Sequence, residues 1–356
     1  MSKPILLIMA GGTGGHIFPA LAVAQALQAS GHIVSWLGTR AGMEAKILAQ
    51  HPSIPIDFIQ IQNLRGKGLK RYLLLPFKLA KAIFQARKII KQRQINLVLG
   101  FGGYVSGPGA LAAKSLGVPF IIHEQNAIPG LTNRILAKWA KTVLMGFPTA
   151  FSKLNKAIYT GNPIRADLLA LQNEPYQLHT PLRILIVGGS QGAQIFNQVI
   201  PEALALLPET DRPQVWHQCG DHKGSETIAR YQKHGLTAKV TEFIDTMNLA
   251  YLWADLIICR AGALTVSELA IIGKPAIFVP LPYAADNHQY YNAKAPTDQG
   301  ASLLIPQVEF TPEKLKTILI QLQKNPQQLI DMSTQARLLS QAQATAQVLQ
   351  ALTLSA

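Results

Sequence analysis

Two glycine-rich turns are the segments of this sequence best suited to chemistry. Gly11-Gly12-Thr13-Gly14-Gly15 and Gly188-Gly189-Ser190-Gln191-Gly192 each follow a short apolar run and precede a segment with helical apolar spacing. Such a turn exposes main-chain N–H groups beside the positive end of a helix dipole, and this arrangement binds phosphate. One such turn is equally well explained as a tight connection without a ligand. Two turns at matching positions, together with Gly100-Phe101-Gly102-Gly103, favour a phosphate-bearing ligand.

Neither turn has the spacing of a familiar nucleotide-binding fingerprint. Ile17 and Gln194 occupy the positions where G-x-G-x-x-G requires its last glycine, and no acid follows the apolar run that contains Trp36. The sequence has no G-x-x-x-x-G-K-[ST] motif and no C-x-x-C pair, and its nine histidines show no pair at metal-ligand spacing. These patterns exclude a dinucleotide-dependent oxidoreductase and a P-loop NTPase, and they predict no structural metal.

Positive charge is concentrated in the first half of the chain. The whole sequence has 33 Lys and Arg against 19 Asp and Glu, a net charge of +14. Residues 1–150 hold 17 of these basic residues and only three acids, and the interval 65–93 holds ten basic residues and no acid. A surface of this kind favours a polyanion, which could be nucleic acid, an anionic membrane or a phosphorylated substrate.

The length and composition fit a globular protein of two domains. The chain has 356 residues, of which 48% are hydrophobic, so each half can bury a full core. Two cysteines, Cys219 and Cys259, do not form a disulfide framework and favour a reducing compartment. The apolar run at residues 5–10 is too short for a signal peptide or a membrane span. We therefore expect a soluble cytoplasmic protein.

Alternating strands and helices must position the two turns. The apolar runs predict strands in both halves, at residues 5–10, 33–37, 97–99, 120–122, 183–187, 215–218, 240–243, 256–259 and 276–279. A helix is expected over 18–30 and another up to residue 206, with turn and linker composition at 161–163 and 174–181. This alternation predicts the α/β class, with two Rossmann-like, doubly wound domains of mostly parallel sheet facing each other across a cleft.

Six strings, in this order along the chain, resemble the MurG family of glycosyltransferases, and the resemblance extends from residue 5 to about residue 299. The strings are AGGTGGH from Ala10, GGYVSGP from Gly102, HEQN from His123, GNPIR from Gly161, GGSQGA from Gly188 and CRAGALTVSE from Cys259. The resemblance implies a GT-B-type inverting transferase of peptidoglycan synthesis. Such an enzyme moves N-acetylglucosamine (GlcNAc) from UDP-GlcNAc to the muramoyl 4-hydroxyl of undecaprenyl-diphospho-muramoyl-pentapeptide. It also implies an acceptor and membrane-docking domain at 1–162, onto which a helix at about 340–356 packs back, and a donor domain at 163–339.

The resemblance places the UDP-GlcNAc site mainly on the second domain. The main chain of Ile244 would contact the uracil, Glu268 the ribose hydroxyls and Gln289 the sugar hydroxyls. The diphosphate would bind at a helix start, with Ser190 and Arg165 alongside, and Thr13, Gly14, Gly15 and Asn126 would close the site from the first domain. The residues of that helix start are Ala263, Leu264, Thr265, Val266 and Ser267. Taken alone, Glu268 is explained equally well as a solvated acid on a helix face.

His16 directly follows the first glycine-rich turn and is the candidate general base. Inverting transfer needs a base for the acceptor hydroxyl, and histidine changes charge near neutral pH. The departing UDP could be stabilised by the helix start at Leu264 and Thr265, so no cofactor and no metal ion are expected. The alternative is that His16 only caps the turn or positions the donor phosphate. The sequence leaves both roles open.

A segment in which apolar and basic residues alternate is the candidate membrane-docking surface. Four apolar residues at helical spacing and two lysines define it: Leu75, Leu79, Ile83, Phe84, Lys78 and Lys81. A helix of this kind lies in a lipid interface with its cations at anionic headgroups, each contributing about 1 kcal/mol. We therefore predict a peripheral protein at the cytoplasmic face of the bacterial inner membrane. The alternative is a helix whose apolar stripe faces the core and whose basic face is solvated.

Two other functions fit part of these patterns. A UDP-GlcNAc 2-epimerase would have two similar domains without a lipid acceptor, and the string at 102–108 argues against it. A nucleic-acid-binding protein would have a recognisable module or more aromatic residues among the cations than Tyr72, Phe77 and Phe84. The expected partners are therefore UDP-GlcNAc, the undecaprenyl-linked muramoyl-pentapeptide and an anionic membrane surface, but not nucleic acid. The family also implies contacts with other proteins of cell-wall synthesis.

Overall fold

The computed structural model of the chain describes residues 4–61, 75–189, 191–282 and 285–355, without the side chains of residues 75, 285 and 355. The chain divides into two compact units. The first unit comprises Met1–Arg165 together with Ala342–Ala356, and the second comprises Ala166–Gln341. Each unit is built around one parallel β-sheet.

The sheet of the first unit has seven parallel strands in the order β3-β2-β1-β4-β5-β6-β7. The strands are β1 Ile5–Ala10, β2 Ile33–Gly38, β3 Ile56–Phe58, β4 Leu97–Gly102, β5 Phe120–Glu124, β6 Thr142–Met145 and β7 Ala157–Tyr159. The helices of this unit are α1 Gly14–Ala29, α2 Met43–Leu48, α3 Leu75–Gln92, α4 Ser106–Ser115 and α5 Leu131–Leu136, followed at the end of the chain by α14 Ala344–Ser355.

Helices cover both faces of this sheet, as continuous apolar strands require. On one face, α1 and α14 pack against alternate residues of β1 and place Ile17 and Val348 in the same core. On the other face, α3, α4 and α5 bury Ala82, Ala110 and Leu136 against the remaining residues of the strands. The chain terminus is therefore part of the first unit, although 176 residues of the second unit lie between.

The second unit repeats the same plan with six parallel strands in the order β10-β9-β8-β11-β12-β13. The strands are β8 Arg183–Val187, β9 Gln214–Gln218, β10 Lys239–Thr241, β11 Leu256–Cys259, β12 Ala276–Phe278 and β13 Ser302–Leu304. The helices are α6 Ala166–Leu169, α7 Gln194–Ala205, α8 Gly224–Lys233, α9 Met247–Trp253, α10 Ala263–Ile272, α11 His288–Asp298, α12 Pro312–Lys324 and α13 Pro326–Leu338. Short 3-10 turns lie at Glu209–Asp211, Ala285–Asn287 and Gln307–Glu309.

The strand order of each sheet reverses at one point, between β1 and β4 in the first unit and between β8 and β11 in the second. In open α/β sheets ligands bind outside the carboxyl ends of the strands at this point. Both glycine-rich turns lie there, because one follows β1 and the other follows β8. The predicted α/β class with two doubly wound domains is confirmed.

The structure differs from the sequence-based expectation in several segments. Helix α1 begins at Gly14 rather than at residue 18, so His16 lies in its first turn. Residues 174–181 are not a linker, because Tyr176 and Leu178 pack against the second core and His179 Nδ1 lies 2.7 Å from Asp255 Oδ1. Strands β3, β6, β7 and β13 were not predicted, since runs of three or four residues carry little periodic signal.

Candidate functional site

The turn between β1 and α1 is held against the loop that follows β4. Gly12 and Gly103 have φ angles of +95° and +79°, a conformation that glycine adopts without steric cost. A side chain at Gly103 would collide with the main-chain oxygen of Gly11. Thr13 occupies the N-cap position of α1 without a side-chain capping bond, and Gly14 and Gly15 lie in the first turn, where main-chain N–H groups have no helical acceptor. The two loops therefore form one surface of exposed main chain.

A buried carboxylate, Glu44, supports this turn from beneath and was not predicted as a functional residue. Its Oε2 accepts a hydrogen bond from the Gly12 N–H at 3.3 Å, and its Oε1 accepts from the N–H and hydroxyl of Thr39, both at 2.9 Å. Thr39 Oγ1 in turn lies 3.2 Å from the Tyr104 hydroxyl. Glu44 is 0% exposed. It therefore joins the glycine-rich turn to the ends of β2 and β4.

His16 is oriented by Gln125, which follows β5. His16 Nδ1 lies 2.9 Å from Gln125 Oε1, and Gln125 Nε2 lies 3.1 Å from the main-chain oxygen of His123. A carbonyl oxygen only accepts, so the nitrogen of this amide faces His123 and its oxygen faces His16. His16 Nδ1 therefore carries the hydrogen. In the neutral ring, Nε2 keeps its lone pair, and it makes no hydrogen bond within the described ranges.

His123 fixes the orientation of Gln125. Burial lowers the pKa of His123 to about 4, so its ring is neutral at physiological pH. Its Nε2 lies 3.0 Å from the Gly161 oxygen and must donate, which leaves Nδ1 to accept from Gln125 Nε2 at 3.1 Å. A continuous chain of hydrogen bonds thus leads from Gly161 through His123 and Gln125 to His16. Sequence analysis gave His123 and Gln125 only as part of a matched string.

Glu124 orients Asn126, which is the residue of the string HEQN that was predicted to contact the donor. Its carboxylate accepts hydrogen bonds from the main-chain and side-chain N–H groups of Asn126 at 3.0 and 3.1 Å. The same group accepts from Gly130 N–H and Asn133 Nδ2 at 3.0 and 2.9 Å. Arg165, also predicted for the donor site, is half-buried at the end of the first unit.

In the second unit, the loops after β8, β9 and β10 are tied together near Ile244. The Gln218 side chain donates to the Gly189 oxygen at 2.8 Å and to the Glu242 oxygen at 3.1 Å. Ile244 is buried, two residues after Glu242. Ser190, which the sequence also assigned to the donor site, lies outside the described residues. Gly189 and Ile244 therefore lie at the same edge of the sheet.

Helix α10 begins immediately beyond β11, and its first turn contains the predicted diphosphate-binding residues. Gly262 caps the helix, so the N–H groups of Ala263, Leu264 and Thr265 have no acceptor within the helix. Aligned peptide dipoles give this end of the helix a partial positive charge. Val266 is buried in the core, and the Ser267 hydroxyl donates to the Ala263 oxygen at 3.0 Å. The arrangement is suited to an anion.

Glu268 lies farther along α10, and Gln289 lies at the start of α11. Glu268 Oε2 accepts a hydrogen bond from the Tyr251 hydroxyl at 3.0 Å, which orients its carboxylate. Gln289 is the second residue of α11, and its Oε1 accepts from Leu281 N–H at 2.9 Å. Asn292 donates to the Ala261 oxygen at 3.2 Å, so α11 is tied to the loop that precedes α10. Among the described residues of this unit, the predicted donor residues thus follow β10, β11 and β12.

The predicted membrane-docking residues lie on α3, where Lys78, Lys81 and Phe84 are exposed. Phe84 is 71% exposed, and Phe77, which was not among the predicted residues, is 76% exposed. Leu79 is half-buried, Ile83 packs partly against the core of the first unit, and the side chain of Leu75 lies outside the described residues. Among the large apolar side chains of α3 that the structure describes, Phe77 and Phe84 are the exposed ones, whereas the predicted residues Leu79 and Ile83 are partly buried. None of the helices described is both long and apolar enough to cross a membrane.

One group of three potential metal ligands lies in the second unit. Asp221, His222 and Glu242 each offer a ligand atom, and these atoms lie within 4.8 Å of one another. All three residues are exposed. This group was not predicted because Glu242 lies in a different loop from Asp221 and His222.

Comparisons with known proteins agree with this architecture. Residues 6–145 and 183–349 match the models of the glycosyltransferase family 28 N-terminal and C-terminal domains. Over 328 residues, the chain is 52% identical to the UDP-N-acetylglucosamine–N-acetylmuramyl-(pentapeptide) pyrophosphoryl-undecaprenol N-acetylglucosamine transferase of Tolumonas auensis, with 91% of each chain covered. The crystal structure of Acinetobacter baumannii MurG superposes with a TM-score of 0.81 and 44% identity, covering 97% of this chain and 98% of that one.

A second solved structure shares the fold of this chain. The UDP-GlcNAc 2-epimerase of Neisseria meningitidis, bound to UDP-GlcNAc, has a TM-score of 0.68, with 98% of this chain and 99% of that one covered. The two sequences are 14% identical, so the likeness concerns the fold alone.

Two parallel-sheet units, each with a glycine-rich turn at its reversal of strand order and each matching a glycosyltransferase domain model, define a two-domain glycosyltransferase of the GT-B type. With both family domains matched, the chain belongs to glycosyltransferase family 28 and, within it, to the MurG transferases. The predicted family and enzyme class are confirmed.

Proposed function

We propose that this protein transfers GlcNAc from UDP-GlcNAc to the 4-hydroxyl of the N-acetylmuramoyl residue of undecaprenyl-diphospho-muramoyl-pentapeptide. The main support is the 52% identity, over 91% of the chain, to a transferase whose name states this reaction. The product is the lipid-linked disaccharide unit of peptidoglycan. The first unit binds the acceptor and the second binds UDP-GlcNAc.

His16 serves as the general base. The acceptor hydroxyl oxygen attacks C1 of GlcNAc while its proton moves to His16 Nε2, and the bond from C1 to the diphosphate oxygen breaks. The hydrogen-bond chain through Gln125 and His123 supports this role, because it holds the hydrogen on Nδ1 and leaves Nε2 as the acceptor. A residue that only positioned a phosphate would instead need an N–H at the atom facing the ligand.

The departing UDP is stabilised by main-chain groups of the second unit. The N–H groups of Ala263, Leu264 and Thr265, which have no acceptor within the helix, bind the diphosphate. Their partial positive charge is already in place when the leaving group develops its negative charge. Glu268 accepts hydrogen bonds from the ribose hydroxyls. The main chain of Ile244 contacts the uracil, and Gln289 contacts the hydroxyls of GlcNAc. Ser190, Arg165, Thr13, Gly14, Gly15 and Asn126 complete the proposed donor contacts. The reaction then needs no metal ion.

Docking on an anionic membrane brings the enzyme to its lipid-linked acceptor. Phe77 and Phe84 project from α3 beside Lys78 and Lys81, so apolar and cationic groups share one surface. We place the protein at the cytoplasmic face of the inner membrane, where the nucleotide donor and an anionic lipid surface are both present. Contacts with other cell-wall synthesis proteins remain part of the proposal from the family alone.

The test is UDP release from UDP-GlcNAc in EDTA, with and without lipid-linked muramoyl-pentapeptide. Release that depends on the acceptor, with GlcNAc recovered in the lipid product, is the expected result and also demonstrates independence from divalent metal. Release without acceptor, or conversion of UDP-GlcNAc to UDP-ManNAc, would replace the transferase with the epimerase. Salt-dependent binding to bare DNA without any effect of UDP would instead favour a nucleic-acid-binding protein.

A further inference from the structure

Gln218 is the last residue of β9, the strand that separates β8 from β10 in the sheet of the second unit. Its side chain is only 4% exposed, and it was not predicted as a site residue. The glycine-rich turn at 188–192 follows β8 on one side of it, and the segment that contains Ile244 follows β10 on the other. Gln218 therefore lies between two loops that both belong to the proposed donor site.

The side-chain amide of Gln218 bonds to both loops at once. Its Nε2 donates to the Gly189 oxygen at 2.8 Å and to the Glu242 oxygen at 3.1 Å. Both acceptors are main-chain carbonyl oxygens, which only accept, so the amide nitrogen and not the amide oxygen must face them. Each of the two amide hydrogens is thus used on a different loop. A single planar group therefore sets the distance between the Gly189 and Glu242 carbonyls.

The glycine-rich turn is packed closely against the end of β9. Gly189 and Gly192 have φ angles of +84° and +66°, which glycine adopts without steric cost. A side chain at Gly192 would collide with the main-chain oxygen of Cys219, the residue after Gln218. The turn therefore has a fixed place beside Gln218, and its Gly189 carbonyl orients the amide.

On the other side, Gln218 extends the contact between β9 and β10 toward Ile244. The main-chain pairing of the two strands continues as far as the Cys219 N–H, which donates to the Thr241 oxygen at 2.9 Å. The side chain of Gln218 then holds the oxygen of the next residue, Glu242. Ile244 is only two residues farther along the chain, so the position of its main chain depends on this bond.

The amide oxygen of Gln218 is buried and has no hydrogen-bond partner within the described part of the chain. An unpaired buried acceptor costs free energy that an apolar side chain of the same size would not. Glutamine is thus a poor residue for filling this position and a good one for bonding to two carbonyls. The two amide donors, rather than packing, therefore account for a glutamine here.

We propose that Gln218 is a positioning residue that determines the preference of the donor site for uracil. Uracil and cytosine differ in which atoms donate and accept along one edge of the base, so a main chain held in one place favours one of them. Gln218 holds that main chain through Glu242 and sets its distance from the glycine-rich turn. This inference rests on the proposed function, in which the main chain of Ile244 contacts uracil, and deepens it by naming the residue that fixes this contact.

Calorimetric titration of the intact chain with UDP and with CDP tests this role without turnover. The native chain should prefer UDP. Gln218→Met keeps the size of the side chain but removes both donors, so it should raise the Kd for UDP roughly 10-fold and change the Kd for CDP by less than about threefold. Gln214→Ala, at an exposed glutamine of the same strand, is the matched control and should leave both values unchanged. A native chain without preference, or a preference for UDP that Gln218→Met retains, would overturn the proposal.

A second variant separates positioning from stability. Val215→Ala shortens a buried apolar side chain of β9 and should lower the melting temperature without changing the ratio of the two Kd values. If this variant lowers the preference for UDP as much as Gln218→Met does, Gln218 is structural only and the proposal fails.

Steady-state kinetics distinguish this inference from the proposed function. Gln218→Met should raise the KM for UDP-GlcNAc roughly 10-fold and leave kcat and the KM for the lipid-linked acceptor unchanged. A fall in kcat with an unchanged KM for UDP-GlcNAc would contradict a role in binding the base. If the native chain binds UDP selectively but transfers no GlcNAc, the proposed transfer fails, and the titrations decide the role of Gln218 without it.

Discussion

Gln125 Oε1 lies 2.9 Å from His16 Nδ1, and this contact determines which nitrogen of His16 can accept a proton. The amide is itself oriented by His123, whose ring is buried and neutral. The three side chains come from the first turn of α1 and from the end of β5, two elements that are far apart in the sequence. Because the three side chains are joined by hydrogen bonds, the role of His16 as a base can be tested by substituting each of them.

His16→Ala should lower kcat by roughly 10²- to 10⁴-fold, the usual contribution of a positioned general base. The Kd for UDP should stay within about twofold of the native value, because the base does not contact the nucleotide. Steady-state kinetics and calorimetric titration with UDP measure the two quantities. His51→Ala, at a histidine beyond the end of α2 for which no role is proposed, is the control. Unchanged turnover would remove His16 from the role of base.

Gln125→Ala should lower kcat by roughly 10- to 100-fold, since the His16 ring loses both its orientation and its preferred tautomer. The KM for UDP-GlcNAc should change little. Gln28→Ala removes another glutamine of the first unit, one that bonds to residue 53 instead, and should be silent. If Gln125→Ala lowers the melting temperature and kcat stays at the native value, the residue is structural only.

Acid should destabilise the protein through His123 and His217. Burial lowers their pKa values to about 4 and about 3, below the ordinary value of about 6.5. At pH values between the lowered pKa of each histidine and about 6.5, the unfolded chain binds more protons than the native chain. The free energy of unfolding therefore rises with pH over this range. His123 alone should cost about 3 kcal/mol as the pH falls from 6.5 to 4. Urea unfolding at several pH values measures the slope, and His217→Gln should reduce it; a flat profile would contradict the neutral, buried rings.

Glu268→Ala should raise the Kd for UDP roughly 10- to 100-fold, because a charged acceptor for ribose hydroxyls is lost. Tyr251→Phe should raise it roughly fivefold by releasing the Glu268 carboxylate. Glu202→Ala, at an exposed acid on α7, tests the alternative that Glu268 is only a solvated helix residue. Equal Kd values for the Glu268 and Glu202 variants would support that alternative.

Phe77→Ser with Phe84→Ser should weaken binding to anionic vesicles by at least roughly 10-fold, since a phenyl ring buried in lipid contributes about 1.5–3 kcal/mol. Both rings are exposed, so the free energy of unfolding should not fall. Leu338→Ser changes an equally exposed apolar residue of the second unit and is the control. Vesicle flotation at several anionic lipid contents measures this binding. Vesicle binding that is unchanged in the double variant would argue against docking through α3.

The sequence alone determined the class of this protein. Apolar runs alternating with helical segments predicted two doubly wound sheets, because local hydrophobic spacing records whether a segment is a strand or a helix. The glycine-rich turns were also visible, since glycine is needed where main chain approaches main chain or adopts a positive φ, as at Gly12 and Gly103. Ordered strings around these turns identified the family, and from it the candidate donor residues and His16.

Only the tertiary structure decided how these residues act together. The roles of Gln125, His123 and Glu44 depend on hydrogen bonds between segments separated by 32 to 109 residues, and spacing along the chain carries no record of such contacts. The same holds for α3, where packing buries part of Ile83 and exposes Phe77. Helical periodicity shows which residues form an apolar stripe. Which of these residues remain exposed depends on the neighbouring elements that pack against the helix.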